Sequence, residues 1–103
     1  MKPLQQNQKE PQKYLLTLYT AGTEPNSLLA IRNLKEICSG LYAKQRVMEV
    51  VDVYQFFQRA LKDRVIVTPT LIVSTDNPVT KATFYGTLHD KQILLNHLGH
   101  EAT

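Results

Sequence analysis

The stretch Leu18-Tyr19-Thr20-Ala21-Gly22-Thr23-Glu24-Pro25-Asn26-Ser27 decides the reading of this chain. It closes an apolar, β-prone run that starts at Tyr14, turns through a loop punctuated by Gly22 and Pro25, and opens a helix. Asn26 or Ser27 is placed to cap that helix by accepting a hydrogen bond from a free backbone N–H. A cysteine pair in such a loop would sit at the positive end of the helix, which acidifies the first thiol. The loop holds no sulfur. The scaffold of a redox site without its chemistry points to protein binding.

Downstream, Leu28, Ile31, Leu34, Cys38 and Leu41 recur at helical spacing, and Gly40 suits the helix end. Arg46 to Val53 is a second β-prone run, so a βαβ unit with a right-handed crossover is expected. Asp52 could cap a second helix. Its apolar stripe would be Val53, Phe56, Phe57, Ala60 and Leu61, with Gln58, Arg59, Lys62 and Asp63 outside. The run Val65 to Val73 is β-prone but broken by Pro69, which cannot donate to a ladder. The expected solution is a corner at Thr68-Pro69, the place of the cis-proline corner in a thioredoxin-like layout, followed by a strand from Thr70 to Ser74. Asp76-Asn77-Pro78 reads as a turn and Lys81 to Tyr85 as a fourth strand ended by Gly86. Asp90 or His89 then starts a last helix, with Ile93, Leu94 and Leu98 inward. The order is β-α-β-α-β-β-α, an α/β arrangement of the thioredoxin-like kind.

The totals bound this reading. A length of 103 residues with 43% hydrophobic side chains suits one domain, expected over 14–103. Residues 1–13 are rich in Gln, Lys and Pro, and read as a flexible tail. No apolar run approaches the ~18 residues of a membrane helix, and no apolar signal core is visible, so the cytoplasm is the expected location. The net charge is +3, but Lys2, Lys9 and Lys13 against Glu10 supply most of it. The remainder carries nine basic and eight acidic side chains, a balance that argues against nucleic-acid binding.

Candidate chemistry is sparse. Cys38 shares a face with Leu34 and falls near the negative end of its helix, which opposes a thiolate, so a buried hydrophobe is expected. His97 and His100 could share a face beside His89, but no cysteine or suitable carboxylate is close in sequence, so no metal is expected. Arg59, Lys62 and Arg64, with Asp63 among them, form either a solvated helix face or a docking surface for an acidic partner. No catalytic triad, P-loop or dinucleotide motif is present, and neither an enzyme activity nor a cofactor is expected.

Tyr19, Ala21, Gly22, Pro25, Asn26 and Ser27, then Val50-Val51-Asp52-Val53, then Val67-Thr68-Pro69-Thr70-Leu71, resemble the KaiB family of clock proteins over roughly residues 14–98. Gly86 and Asp90 match the family's G-D-L-S-D segment, here G-T-L-H-D. The resemblance implies a non-enzymatic regulator that binds a KaiC-like ATPase and modulates its ATPase or phosphorylation cycle. Arg64 stands at a basic position implicated in that docking, with Lys62 and Arg59 beside it. The family also implies a second arrangement, β-α-β-β-α-α-β, in a homotetrameric ground state, with the thioredoxin-like monomer as the KaiC-binding form. A KaiB-like-domain histidine kinase is an implied competitor. Glu49 replaces a basic residue, Asp76-Asn77-Pro78 a run of prolines, and Ala82-Thr83 a basic pair. The family's acidic C-terminal tail is missing. These departures count against a KaiA-type partner. The alternatives are a thioredoxin-like redox protein using Cys38, or an isolated KaiB-like sensor domain of a histidine kinase.

Overall fold

A computed structural model describes residues 12–99, except for the side chains of residues 41 and 42. His100 and most of the expected tail, residues 1–13, therefore lie outside the described residues, as does the side chain of Leu41. The elements are β1 (Tyr14–Thr20), α1 (Pro25–Ile37), a 3₁₀ segment (Gly40–Gln45), β2 (Arg46–Asp52), α2 (Phe57–Lys62), β3 (Thr70–Asp76), β4 (Val79–Tyr85) and α3 (Lys91–His97). Of the two expected orders, the structure has β-α-β-α-β-β-α.

The strands form one sheet in the order β2-β1-β3-β4. Central β1 runs parallel to β2, with Leu18 beside Val50, and antiparallel to β3, with Leu18 beside Leu71. Alternation along the strands sends Leu16, Leu18, Leu71 and Val73 to one face, where they pack against Ala30, Leu34 and Ile37 of α1 and Leu94 of α3. The other face is thinner: Tyr19, Val51 and Ile72 meet Ala60 of α2, with Val53 and Val65 at the margin.

Several local expectations are corrected. Glu24, rather than Asn26 or Ser27, is the N-cap of α1. Its carboxylate accepts from Ser27 N at 3.0 Å, and Pro25 fills the first helical turn, where no N–H is needed. The buried face of α1 is Ser27, Ala30, Leu34 and Ile37, and Leu28 is half exposed. Small residues at 27 and 30 let the helix approach the sheet, which outweighs the larger apolar area of Leu28. Asp52 does not cap α2, whose N-cap is Phe56. Phe56, Phe57 and Leu61 are exposed and only Ala60 of α2 is buried, whereas Asp63 turns toward the sheet. Ile93 is exposed, while Leu94 and Leu98 are buried as expected. β3 reaches Asp76 and β4 starts at Val79, both longer than expected.

Candidate docking surface

Helix α2 ends in a Schellman turn. Arg64 N donates to Leu61 O at 3.0 Å and Val65 N to Ala60 O at 2.9 Å. The turn requires a left-handed residue after the C-cap Asp63, and Arg64 fills it with φ 59°. Glycine holds this position without strain, whereas a residue with a Cβ is held there at a cost of roughly 1–2 kcal/mol. Contact of Val65 and Ala60 within the second apolar cluster completes the motif.

The three predicted docking cations differ in their surroundings. Arg59 is clamped by Glu49, its Nη1 and Nη2 donating at 3.1 and 2.5 Å. Thr17 Oγ1 also donates to Glu49, at 3.2 Å. Arg59 holds the Glu49 carboxyl below its ordinary range, and Glu49 in turn raises Arg59. The acidic residue at 49 thus neutralises Arg59. Lys62 and Arg64 are exposed and make no ion pair among the described residues. Beneath them the buried Tyr19 hydroxyl donates to Asp63, which also faces Lys81 at 3.8 Å. Burial first, and the Asp63 hydrogen bond second, push the Tyr19 pKa up to about 12.

The remaining motif residues hold the adjoining loops. Asp52 Oδ1 accepts from Gly22 N at 3.2 Å and Tyr54 N at 3.0 Å, tying the β1–α1 loop to the β2–α2 loop. Gly22 has φ 53°, so the turn itself favours glycine there. Ser27, fully buried, accepts from Ala21 N through Oγ at 3.1 Å. Thr68-Pro69 and Asn77-Pro78 are both cis. Thr70 Oγ1 donates to Val67 O at 2.5 Å, and Gly86 N to Pro69 O at 3.0 Å. Asn26 and Asp90 are exposed. Asp90 precedes α3 without making a side-chain cap.

These loops and α2 enclose a groove of about 320 Å³, lined by Tyr54, Phe57, Leu61, Val65, Ile66 and Thr68 among others. Its rim is apolar and open to solvent: Ile66 is 90% exposed and Tyr54 76%. The expected aromatic stripe of α2 is therefore surface rather than core.

Cys38 lies at the far end of α1 from the β1–α1 loop, half-buried, and burial pushes its thiol up despite the charge of Arg46. That is the opposite of an activated nucleophile. Among the described residues no cluster of potential metal ligands occurs, and no helix is long and apolar enough to cross a membrane. His97 packs against Tyr14 and Phe84, with ring centroids 6.4 and 5.5 Å away.

Residues 17–99 match the KaiB domain. The chain belongs to the KaiB family. Within that family it is 38% identical over 82 residues to a circadian clock oscillator protein KaiB of Trichodesmium erythraeum, covering 80% of this chain and 77% of that protein. A Nostoc punctiforme relative of the same description is 36% identical over 87 residues, covering 84% and 82%. Among solved structures, chloroplastic thioredoxin z superposes with a TM-score of 0.75 at 19% identity, covering 89% of this chain and 81% of that one. The KaiB family chain thus has a thioredoxin-like fold. The three motif segments that carried the sequence resemblance converge in it: Asp52 bonds the loop after Tyr19, and Ala21, Val53 and Thr68 all line the groove.

Sequence reasoning missed the groove and the Schellman turn. An αL arginine has no signature in composition or periodicity. The exposed aromatics of α2 carry the same helical spacing as a core stripe.

Proposed function

We propose that this chain is a KaiB-type regulator that docks on a KaiC-family ATPase and, by binding one of its states more tightly, shifts its ATPase or phosphorylation cycle. The docking face is the C-terminal end of α2, with Arg64 at its centre and Lys62 beside it. Arg59 positions the helix through Glu49. The observation that carries the reading is Arg64 itself: a cation without an ion pair among the described residues, held in a conformation that glycine adopts more cheaply. Strain of this kind concentrates at functional positions. Acidic side chains on the ATPase are the natural complement, setting orientation and on-rate. Tyr19, Ala21, Gly22, Pro25, Asn26, Ser27, Asp52, Thr68, Pro69, Thr70, Gly86 and Asp90 are assigned to holding this fold and its loops. The reading includes a cytoplasmic location and a self-assembled ground state, dimer or tetramer. A KaiB-like-domain kinase would compete for the same surface.

The test is binding to a KaiC-family ATPase from the same source, followed over time with ATP. Arg64→Glu should weaken the complex and steepen its dependence on salt. Equal affinity of wild type and variant would remove Arg64 from the interface, and no complex at all would remove the KaiC-type partner.

A further inference from the structure

Strand β4 is an open edge of the sheet, paired only to β3. The register fixes which of its backbone groups face outward. Gly86 N donates to Pro69 O at 3.0 Å, one step beyond the pair Thr70–Tyr85. Opposed residues of an antiparallel ladder alternate between hydrogen-bonded and open pairs, so Phe84, Ala82 and Thr80 bond to β3 through Leu71, Val73 and Thr75. The N–H and C=O groups of Val79, Lys81, Thr83 and Tyr85 therefore point away from β3, and none has a partner among the described residues. All four residues are exposed. The register runs without a bulge from Asp76–Val79 to Thr70–Tyr85, and no proline interrupts β4. Such an edge is a template for a further strand.

Symmetry decides what fits it. The four outward residues are centred on Ala82, so a second β4 running antiparallel matches them: Val79 opposes Tyr85 of the second copy, Lys81 opposes Thr83, and the reverse pairs follow. A slip of one residue puts the backbone groups out of phase. A slip of two leaves an outward residue of each chain unpaired, and in one direction sets Lys81 against its own copy. In the full register each lysine faces a neutral threonine. Ala82, the smallest side chain of the strand, lies on the two-fold axis at an open pair, where Cα atoms close to about 4.5 Å. At either end the exposed apolar side chains Val79 and Tyr85, 83% and 68% accessible, cover one another on a single face.

We propose that β4 is a homodimer interface, through which two copies of this chain join their four-stranded sheets into one continuous sheet. This contact does not depend on ATPase docking, and it gives the self-assembly named above a surface in the fold described here.

Sedimentation equilibrium of the full chain from about 10 µM to 1 mM should show a reversible monomer–dimer exchange, since one strand pair is a small interface. Thr83→Glu sets a carboxylate against Lys81 of the second copy, twice per dimer, and should tighten the dimer about two- to tenfold. Thr83→Lys sets like charges there and should loosen it by a similar factor, and both effects should shrink in roughly 0.5 M salt. Gln58→Glu and Gln58→Lys, at an exposed site on α2, control for net charge and should leave the dimer unchanged. Thr83→Pro removes an N–H that faces away from β3, so it should keep the fold by circular dichroism and lose the dimer. A monomer at every concentration overturns the proposal. So do equal effects of Thr83→Glu and Thr83→Lys, because the paired register opposes residue 83 to Lys81. Self-association that every Thr83 variant leaves unchanged also overturns it, and leaves the self-assembled state standing with its contact elsewhere.

Discussion

Replacing Arg64 by glycine should make the protein more stable and a worse binder at the same time. In the Schellman turn Arg64 sits at φ 59°, a conformation that costs a residue with a Cβ roughly 1–2 kcal/mol. Glycine relieves that strain but gives back about 0.5–1 kcal/mol through the greater freedom of the unfolded chain. The side chain makes no ion pair among the described residues, so nothing else is lost from the folded state. The net gain is about 0–1.5 kcal/mol, centred on about 0.75 kcal/mol, which for a domain of this size raises the melting temperature by about 3–6 °C. Removing the charge should weaken the proposed complex with a KaiC-family ATPase by about 1.4 kcal/mol or more, which is tenfold. Urea denaturation gives the first quantity and fluorescence anisotropy with labelled chain the second. Arg64→Lys is the control: it keeps charge and strain, so stability should hold. A destabilised glycine variant would refute the strain argument, and one with undiminished affinity would refute the assignment of Arg64 to the interface.

Three further outcomes test other parts of the structure. Asp52→Ala, which leaves Gly22 N and Tyr54 N without their acceptor, should cost about 1.5–3 kcal/mol in urea denaturation, and Asp52→Asn, which keeps one oxygen, should cost less. Leu34→Ala, at a fully buried site, should cost about 3–4 kcal/mol, whereas Leu28→Ala on the same helix should cost under about 1 kcal/mol. Similar losses at both would mean the helix face is misassigned. The folded-state pKa of Tyr19 is raised from 10.0 to about 12, so its contribution to stability is complete below pH 10 and is lost as pH rises from 10 toward 12. Stability measured across that window should fall in the wild type and fall less steeply in Tyr19→Phe.

Much of the fold was legible because period and punctuation agreed. β1 lies where the apolar run Tyr14–Thr20 placed it, and Pro69 interrupts the chain just before β3, since a ladder has no place for it. The 3₁₀ segment at Gly40–Gln45 was not legible, as it follows from the geometry of joining α1 to β2 rather than from a hydrophobic period. The face of α1 was misread by weighting size: Leu28 is larger than Ala30, but the close approach of helix to sheet favours the smaller residue. Asp63 was expected in solvent because charged residues usually are, and a sequence cannot announce that the buried Tyr19 hydroxyl requires an acceptor. At the site, the loop, Asp52 and the Thr68-Pro69 corner were recognisable as motifs. Their convergence on an apolar groove was not, because it joins residues up to 47 positions apart, from Ala21 to Thr68.

The two faces of the sheet are fastened by different forces. Toward α1 and α3 the fastening is a broad, dry contact of aliphatic side chains. Toward α2 it is a small patch, Tyr19, Val51, Ala60 and Ile72, ringed by the pairs Glu49–Arg59 and Asp63–Lys81. Lifting α2 exposes little apolar surface, and its ionic ties weaken in salt. The molecule therefore has a hinge side. Amides of α2 should exchange with solvent through a partial opening that leaves β1, α1 and α3 assembled, at a free energy well below that of global unfolding. The segment between Asp52 and Thr70 can thus be worked loose while the sheet and the two helices on its other face stay folded.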